Sequence, residues 1–254
     1  MNLPDSSILT NIQFPGNAKP ATNLFEKKYI SIRCLENRLY NDDEVEQLPE
    51  IARTHTHYKE WLIRKKSSAR LINYLSSKKK RLRILEVGCG NGWLAHSLSA
   101  IPGSEVTGLD VNFTELQQAA RVFNEDKHLN FIYGDIYENV LNNLKFDIIV
   151  FAASIQYFQP LRKILTICLK HLSPGGEIHI IGSHFYKKSE IIFAKKRTLE
   201  YFTSLGYPEM SDYYFHHAVS ELKLFNHFIL YNPNSVVNKF LKSTDPFYWV
   251  TVKK

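Results

Sequence analysis

The stretch Leu85-Glu-Val-Gly-Cys-Gly-Asn-Gly-Trp-Leu94, LEVGCGNGWL, decides the fold of this chain. It closes an apolar run, 81–87, that reads as a short buried strand, and it opens a segment from Gly92 to Leu98 that reads as a helix. Glycines at every second position leave main chain where side chains would stand, so something must approach the backbone closely. A loop that leaves a parallel strand and enters a helix aims its N–H groups at the carboxyl edge of the sheet, where ligands of open α/β sheets sit.

Downstream the same rhythm repeats. EVTGLDV (105–111), LNFIYGD (129–135), FDIIVFAA (146–153) and SPGGEIHIIG (173–182) read as further strands. Helices are predicted between them at Thr114 to Phe123 and Leu161 to Leu172. LFNHFILY (224–231) and PFYWVTV (246–252) read as a last, antiparallel pair at one sheet edge. The expected fold is therefore α/β: a Rossmann-like, doubly wound, seven-stranded sheet, mostly parallel with an antiparallel edge strand. Before it, Tyr58, Leu62, Leu71 and Leu75 recur at helical spacing, and residues 1–25, rich in Asn, Pro and Ser, read as a poorly ordered lead-in. The domain reading is an N-terminal extension with a lid helix at 1–76 and one α/β domain at 77–254, interrupted by an insertion at about 183–222 crowded with Tyr, Phe and His.

Composition bounds the function classes. The 254 residues are 44% hydrophobic and 22% charged, an ordinary globular balance. Cys34, Cys89 and Cys168 have neither disulfide-framework nor metal-ligand spacing. The first residues lack a basic and apolar leader, and no apolar run approaches the roughly 18 residues needed to span a bilayer, so the expected location is cytoplasmic, with no membrane partner. His55 and His57, two apart, do not share a helical face, and no metal site is expected. The net charge of +7 is locally concentrated: Lys59 to Arg83 holds ten basic residues against the single acid Glu60. That run reads first as a solvated helix face and loop, and second as a nucleic-acid footprint.

Two familiar glycine loops do not fit. The dinucleotide fingerprint needs a glycine where Trp93 stands, and no G-x-x-x-x-G-K-[ST] phosphate loop occurs. The ordered set of motifs instead resembles class I S-adenosylmethionine-dependent methyltransferases. Glu86 followed by Gly88, Gly90 and Gly92 matches the first strand's acid and G-x-G-x-G loop. Asp110 in VTGLDV and Asp135 in FIYGDI match the acids after the second and third strands, and Leu172-Ser-Pro-Gly-Gly176 matches the L-x-P-G-G turn. The likeness covers residues 82 to about 182. It implies S-adenosyl-L-methionine as cofactor, with Asp110 on the ribose diol and Glu86 at the methionine end. Asp135 and the Ile136 N–H are implied at the adenine, and Val111, Ala152 and Cys89 complete the implied contacts. Cys89 reads as small-residue packing within the loop, with no neighbour to activate its thiol.

The acceptor is less determined. The resemblance offers neither the [DN]-P-P-[YF] motif of base-amine methylation nor a cysteine after the fourth strand, so it implies a small-molecule acceptor, methylated at oxygen, nitrogen or carbon. Many such relatives place a His there; this chain has Gln156 and Tyr157. Tyr157, His184, His216 and His217 are the catalytic candidates, although a His among aromatics also reads as a packed core residue. Tyr58 and Trp61 are candidate lid residues. Two other readings stay open: an RNA methyltransferase using the basic 59–83 segment, and a cofactor-binding module without catalysis. The oligomeric state stays open as well.

Overall fold

The computed structural model describes residues 11–15, 24–236, 238 and 245–254. In chain order it forms β1 (Ile12–Gln13), α1 (Leu24–Leu35), α2 (Asp42–Gln47), α3 (Tyr58–Ser76), β2 (Leu82–Val87), α4 (Trp93–Ser99), β3 (Ser104–Asp110) and α5 (Phe113–Val122). There follow β4 (Leu129–Tyr133), β5 (Phe146–Ala152), α6 (Leu161–His171), β6 (Leu172–Ser183), β7 (Phe185–Tyr186), α7 (Ile191–Ser204), β8 (His217–Ala218), β9 (His227–Tyr231) and β10 (Tyr248–Lys253).

The main sheet has the order β1-β4-β3-β2-β5-β6-β10-β9. The seven expected strands are present, and an eighth, the two-residue β1, adds to one edge with Ile12 opposite Phe131. Too short to show a periodicity, β1 lies within the expected lead-in, most of which falls outside the described residues. At the other edge β10 runs antiparallel between β6 and β9. Strands β2, β4 and β5 are apolar runs buried on both faces, as a parallel sheet covered by helices requires. The chain winds outward through β3 and β4, then returns past β2 to β5. That reversal places the topological switch point between the carboxyl ends of β2 and β5, where open α/β sheets bind ligands.

One face of the sheet is covered by α3, α4 and α5, through Leu71, Leu75, Leu94, Leu98 and Leu116. The other is covered by α6, through Ile164, Leu165 and Cys168. Helix α3 is thus one of the sheet's own layers, and its Trp61 belongs to this core rather than to a lid. Trp61 stands edge-on to Trp93 at 5.3 Å and donates its indole N–H to the Tyr40 hydroxyl at 2.8 Å. Leu71→Ala should cost about 2–5 kcal/mol, because its fully buried side chain leaves a cavity in a packed layer. Urea unfolding measures this, and a loss below about 1 kcal/mol would return α3 to the status of an appendage.

A smaller core joins α1 to the 183–222 insertion through Ile32, Phe202 and Met210. The insertion is held at its base by the parallel pair β7 and β8, Phe185 opposite His217. Together α1 and α7 form a cap above the carboxyl ends of β2 and β5. Among the described residues no helix is long and apolar enough to cross a membrane.

Candidate functional site

The loop after β2 carries Gly88, Gly90 and Gly92 at φ values of +75°, +53° and +77°, all left-handed. Their tasks differ. Gly88 and Gly90 open onto a cavity of about 330 Å³ at the carboxyl ends of β2, β3 and β4. Packing constrains two of the three: a Cβ on Gly88 would stand 2.6 Å from the Ser154 Cβ, and one on Gly92 2.8 Å from the Ala119 Cβ and 3.1 Å from the Phe131 ring. Gly88 therefore both lines the cavity and packs on Ser154, Gly90 lines the cavity beside Glu115, and Gly92 lets α4 and α5 close on the sheet.

Asp110 ends β3 and braces this loop. One carboxylate oxygen accepts from the Gly90 N–H and the other from the Asn112 N–H, each at 2.7 Å. The Val111 N–H also bonds this carboxylate, so of its roughly four acceptor positions about one remains for a hydroxyl in the cavity. Val111, Asp135 and Ile136 line the same cavity. Asp135 also accepts from the Tyr137 N–H at 2.9 Å, which fixes the turn after β4.

Beside the loop lies a recess of about 90 Å³ lined by Glu86, Cys89 and Ala152. Glu86 is only 2% exposed, and its Oε2 has no hydrogen-bond partner among the described residues. Burial, and then the neighbouring Asp110, push its carboxyl well above the ordinary range, while the Ala95 N–H opposes the shift. An unsatisfied buried carboxylate oxygen is costly unless something donates to it. Cys89 is packed: a Cβ on Gly108 would meet its Sγ at 2.8 Å, and burial raises its thiol well above the usual value. A third acid, Glu115 on α5, lines both the cavity and the recess, and burial pushes its carboxyl up to about 7. It caps α5 with Asn112, each side chain bound to the other residue at 2.9–3.1 Å.

Under the cap is a larger chamber of about 580 Å³. It meets the first cavity at Tyr29, Ala153 and Tyr157. Ala153 is held at φ +54°, a strained backbone for a non-glycine residue, of the kind that clusters at functional sites. Gln156 holds this turn: its amide donates to the Ala153 carbonyl at 2.6 Å and its oxygen accepts from the Ser183 hydroxyl at 2.8 Å. Burial raises the hydroxyls of Tyr29 and Tyr157, so both stay protonated near neutral pH.

The histidine candidates separate. His184 is an exposed residue lining the chamber, and burial by its neighbours with repulsion from Arg197 keeps its imidazole neutral. His216 and His217 line none of these spaces. His216 is bound to the Thr198 hydroxyl at 2.9 Å, and burial lowers its pKa to about 4. His217 is locked in β8 with its Nε2 on the Ile155 carbonyl at 3.1 Å. The aromatic-histidine run at 213–217 is a wall and a strand, so both residues leave the list of catalytic candidates.

Sequence reasoning missed the charges of the chamber. Arg33 and Arg38 come from α1 and the turn after it, Arg64 from α3 and Arg197 from α7. The segment at 59–83 is likewise divided rather than continuous. Arg64 pairs with Glu60 at 2.9 Å, Lys65 with Glu50 at 2.5 Å and Lys78 with Glu177 at 2.8 Å. Arg70 pairs with Asp245 and lies over the Tyr231 ring.

Comparison with known proteins agrees with this geometry. A family profile described as a methyltransferase domain matches residues 84–176. Malonyl-[acyl-carrier protein] O-methyltransferase of Priestia megaterium is 30% identical over 130 residues, which are 50% of this chain and 46% of that protein. The ubiquinone biosynthesis O-methyltransferase of Vibrio atlanticus is 30% identical over 112 residues, 42% of this chain and 47% of its own length. The chain thus spans about half the length of the curated relatives it matches. Among solved structures, the plantazolicin methyltransferase BpumL in complex with SAH aligns with a TM-score of 0.54 at 17% identity, covering 91% of this chain and 99% of that one. That likeness speaks to the fold. Residues 84–176 thus form a methyltransferase domain, and the sheet built around them has the fold of the class I S-adenosylmethionine-dependent methyltransferases.

Proposed function

We propose that the chain transfers a methyl group from S-adenosyl-L-methionine to a small-molecule acceptor. The observation that carries this reading is the meeting of the two spaces at Tyr29, Ala153 and Tyr157. One has the donors and acceptors of a nucleoside site, and the other is a capped chamber of a size typical for small ligands.

The residues present fit the cofactor. Its ammonium answers the orphaned Glu86 oxygen, and its ribose diol the remaining acceptor position of Asp110. Its carboxylate finds Arg33 and Arg64, which also line the recess. Asp135 and the Ile136 N–H serve the adenine, with Val111 and Phe158 as apolar walls. When bound, S-adenosylmethionine supplies an electrophilic methyl on a sulfonium, so the protein's part is mainly alignment and exclusion of water. The Tyr157 and Tyr29 hydroxyls orient the acceptor as donors, since both remain protonated. His184, neutral at pH 7, is the chamber's available base for an acceptor that must lose a proton.

The named activities of the matched relatives favour an oxygen acceptor. The divided basic segment favours a small molecule over RNA, because four of its ten cations are ion-paired and Lys59 and Arg64 line the chamber. Incubation with S-adenosylmethionine and a panel of small organic acceptors should release S-adenosylhomocysteine for at least one. Intact cofactor binding with no turnover on any acceptor would instead favour a binding module.

Cofactor affinity should also depend on pH. Burial holds Glu115 at about 7, and an incoming cation favours the ionised carboxylate, so binding expels a proton. Affinity should therefore rise with pH up to about 7 and level off above it, by at most roughly tenfold per pH unit for one proton. Calorimetry in buffers of different ionisation heat detects the released proton. Glu115→Gln should flatten the profile, and a flat profile in the unsubstituted protein would contradict the assignment.

A further inference from the structure

The chamber's own walls carry more positive charge than its acids can answer. Five cations line it, Arg33, Arg38, Lys59, Arg64 and Arg197, against two carboxylates, Glu36 and Glu60. Arg38 bridges both acids, at 3.2 and 2.7 Å, while Arg33 reaches Glu36 at 3.3 Å and Arg64 reaches Glu60 at 2.9 Å. Each of these guanidiniums spends two of its five N–H donors on contacts with side chains, leaving the rest for a ligand. Lys59 and Arg197 have no ion pair among the described residues; Arg197 is bound to the Tyr186 hydroxyl, which also lines the chamber. Between the cations the wall is aromatic, with Tyr157, Tyr186, Tyr214 and Phe247.

Resting on the methyl-transfer reading, we propose that the acceptor is an organic anion, a carboxylate or phosphate on an apolar, largely aromatic body, with its charge taken by Arg197 and Lys59 at the chamber's open side. The deeper trio of arginines adjoins the recess and is shared with the cofactor's own carboxylate. Cofactor binding does not cancel the surplus: carboxylate and ammonium offset each other, and the sulfonium adds one more positive charge facing the acceptor. A cationic acceptor would be repelled by this field, and a neutral one would leave its cations without a partner of opposite charge. An anion is drawn in by the field, and its body is held by the tyrosine faces.

Two fluorescent probes of nearly the same body separate charge from shape: anilinonaphthalene sulfonate, an anion, and phenylnaphthylamine, its neutral counterpart. With the protein held in excess S-adenosylhomocysteine, the anion should bind at least tenfold more tightly than the neutral probe, and its affinity should fall as salt is added. In the Lys59→Gln/Arg197→Gln variant most of that preference should vanish while the neutral probe binds as before. Lys196→Gln, on the same helix but paired with Glu200 and outside the chamber, should keep it. Cinnamate or phenyl phosphate should displace the anionic probe and cinnamide should not; the better competitor of the two anions identifies a carboxylate or a phosphate head. Equal binding of the two probes, an unchanged preference in the double variant, or displacement by cinnamide would overturn the proposal. Failure of S-adenosylhomocysteine to bind is recorded separately by calorimetry and counts against the methyl-transfer reading instead, since the probe preference can still be read on the free protein.

Discussion

Asp110→Ala is expected to weaken S-adenosylhomocysteine binding about 10–100-fold, the roughly 1.5–3 kcal/mol that a charge-assisted hydrogen-bonding group contributes. Two losses combine. The first is the acceptor position left over for a ribose hydroxyl. The second is the brace on the glycine loop, because the carboxylate accepts from the Gly90 and Asn112 N–H groups at 2.7 Å. Without it, Gly90 is free to leave the conformation that opens its backbone to the ligand. Asn at this position keeps the shape but turns an N–H₂ toward one of those backbone donors, so it should rescue little. Calorimetry at fixed salt reads the affinity, and a thermal melt confirms that the variant is folded. An affinity within threefold of the unsubstituted protein would remove Asp110 from the binding site.

Gly92→Ala is the second large effect, and it falls on stability. Two costs add. A left-handed residue with a Cβ loses roughly 1–2 kcal/mol. The Cβ would also sit 2.8 Å from the Ala119 Cβ and close to Phe131, both buried, so α4 or α5 must shift. Overpacking of that kind costs about 1–3 kcal/mol. Together the loss is about 2–5 kcal/mol, which for a chain of this size lowers the melting midpoint by on the order of 10 °C. Cofactor affinity should change less than in Asp110→Ala, since Gly92 lines no cavity. A midpoint within 2 °C of the parent would mean the helix–sheet contact is looser than its geometry states.

The contrast between these two sites explains what the residues disclosed on their own. Glu86 and Asp110 lie at the carboxyl ends of β2 and β3 and Asp135 in the turn after β4, and the α/β rhythm brings strand ends to one edge, so local motifs were enough to assemble the cofactor side. Gly92 shares its spacing with Gly88 and Gly90, and only the packing shows that Gly92 meets Ala119 and Phe131 while Gly88 meets Ser154 and Gly90 lies beside Glu115. The acceptor chamber was illegible for a different reason. Its cations come from α1 and the turn after it, α3 and α7, which are far apart in sequence, so no local motif brings them together. Arg64 was visible only as one charge in a basic run. His217 misled because an aromatic-rich segment signals a pocket wall and a short strand equally well. Trp61 misled because an amphipathic helix before the first core strand looks like an appendage until Leu71 and Leu75 are seen in the core.

The central claim is that the cavity at Gly88, Gly90 and Asp110 binds S-adenosylmethionine. Calorimetric titration of the intact protein with S-adenosylmethionine, and separately with NAD, tests it most directly. One site of micromolar affinity for the sulfonium cofactor, and no heat with NAD, is the expected result. Binding of NAD in its place, or of neither by a folded protein, would contradict it.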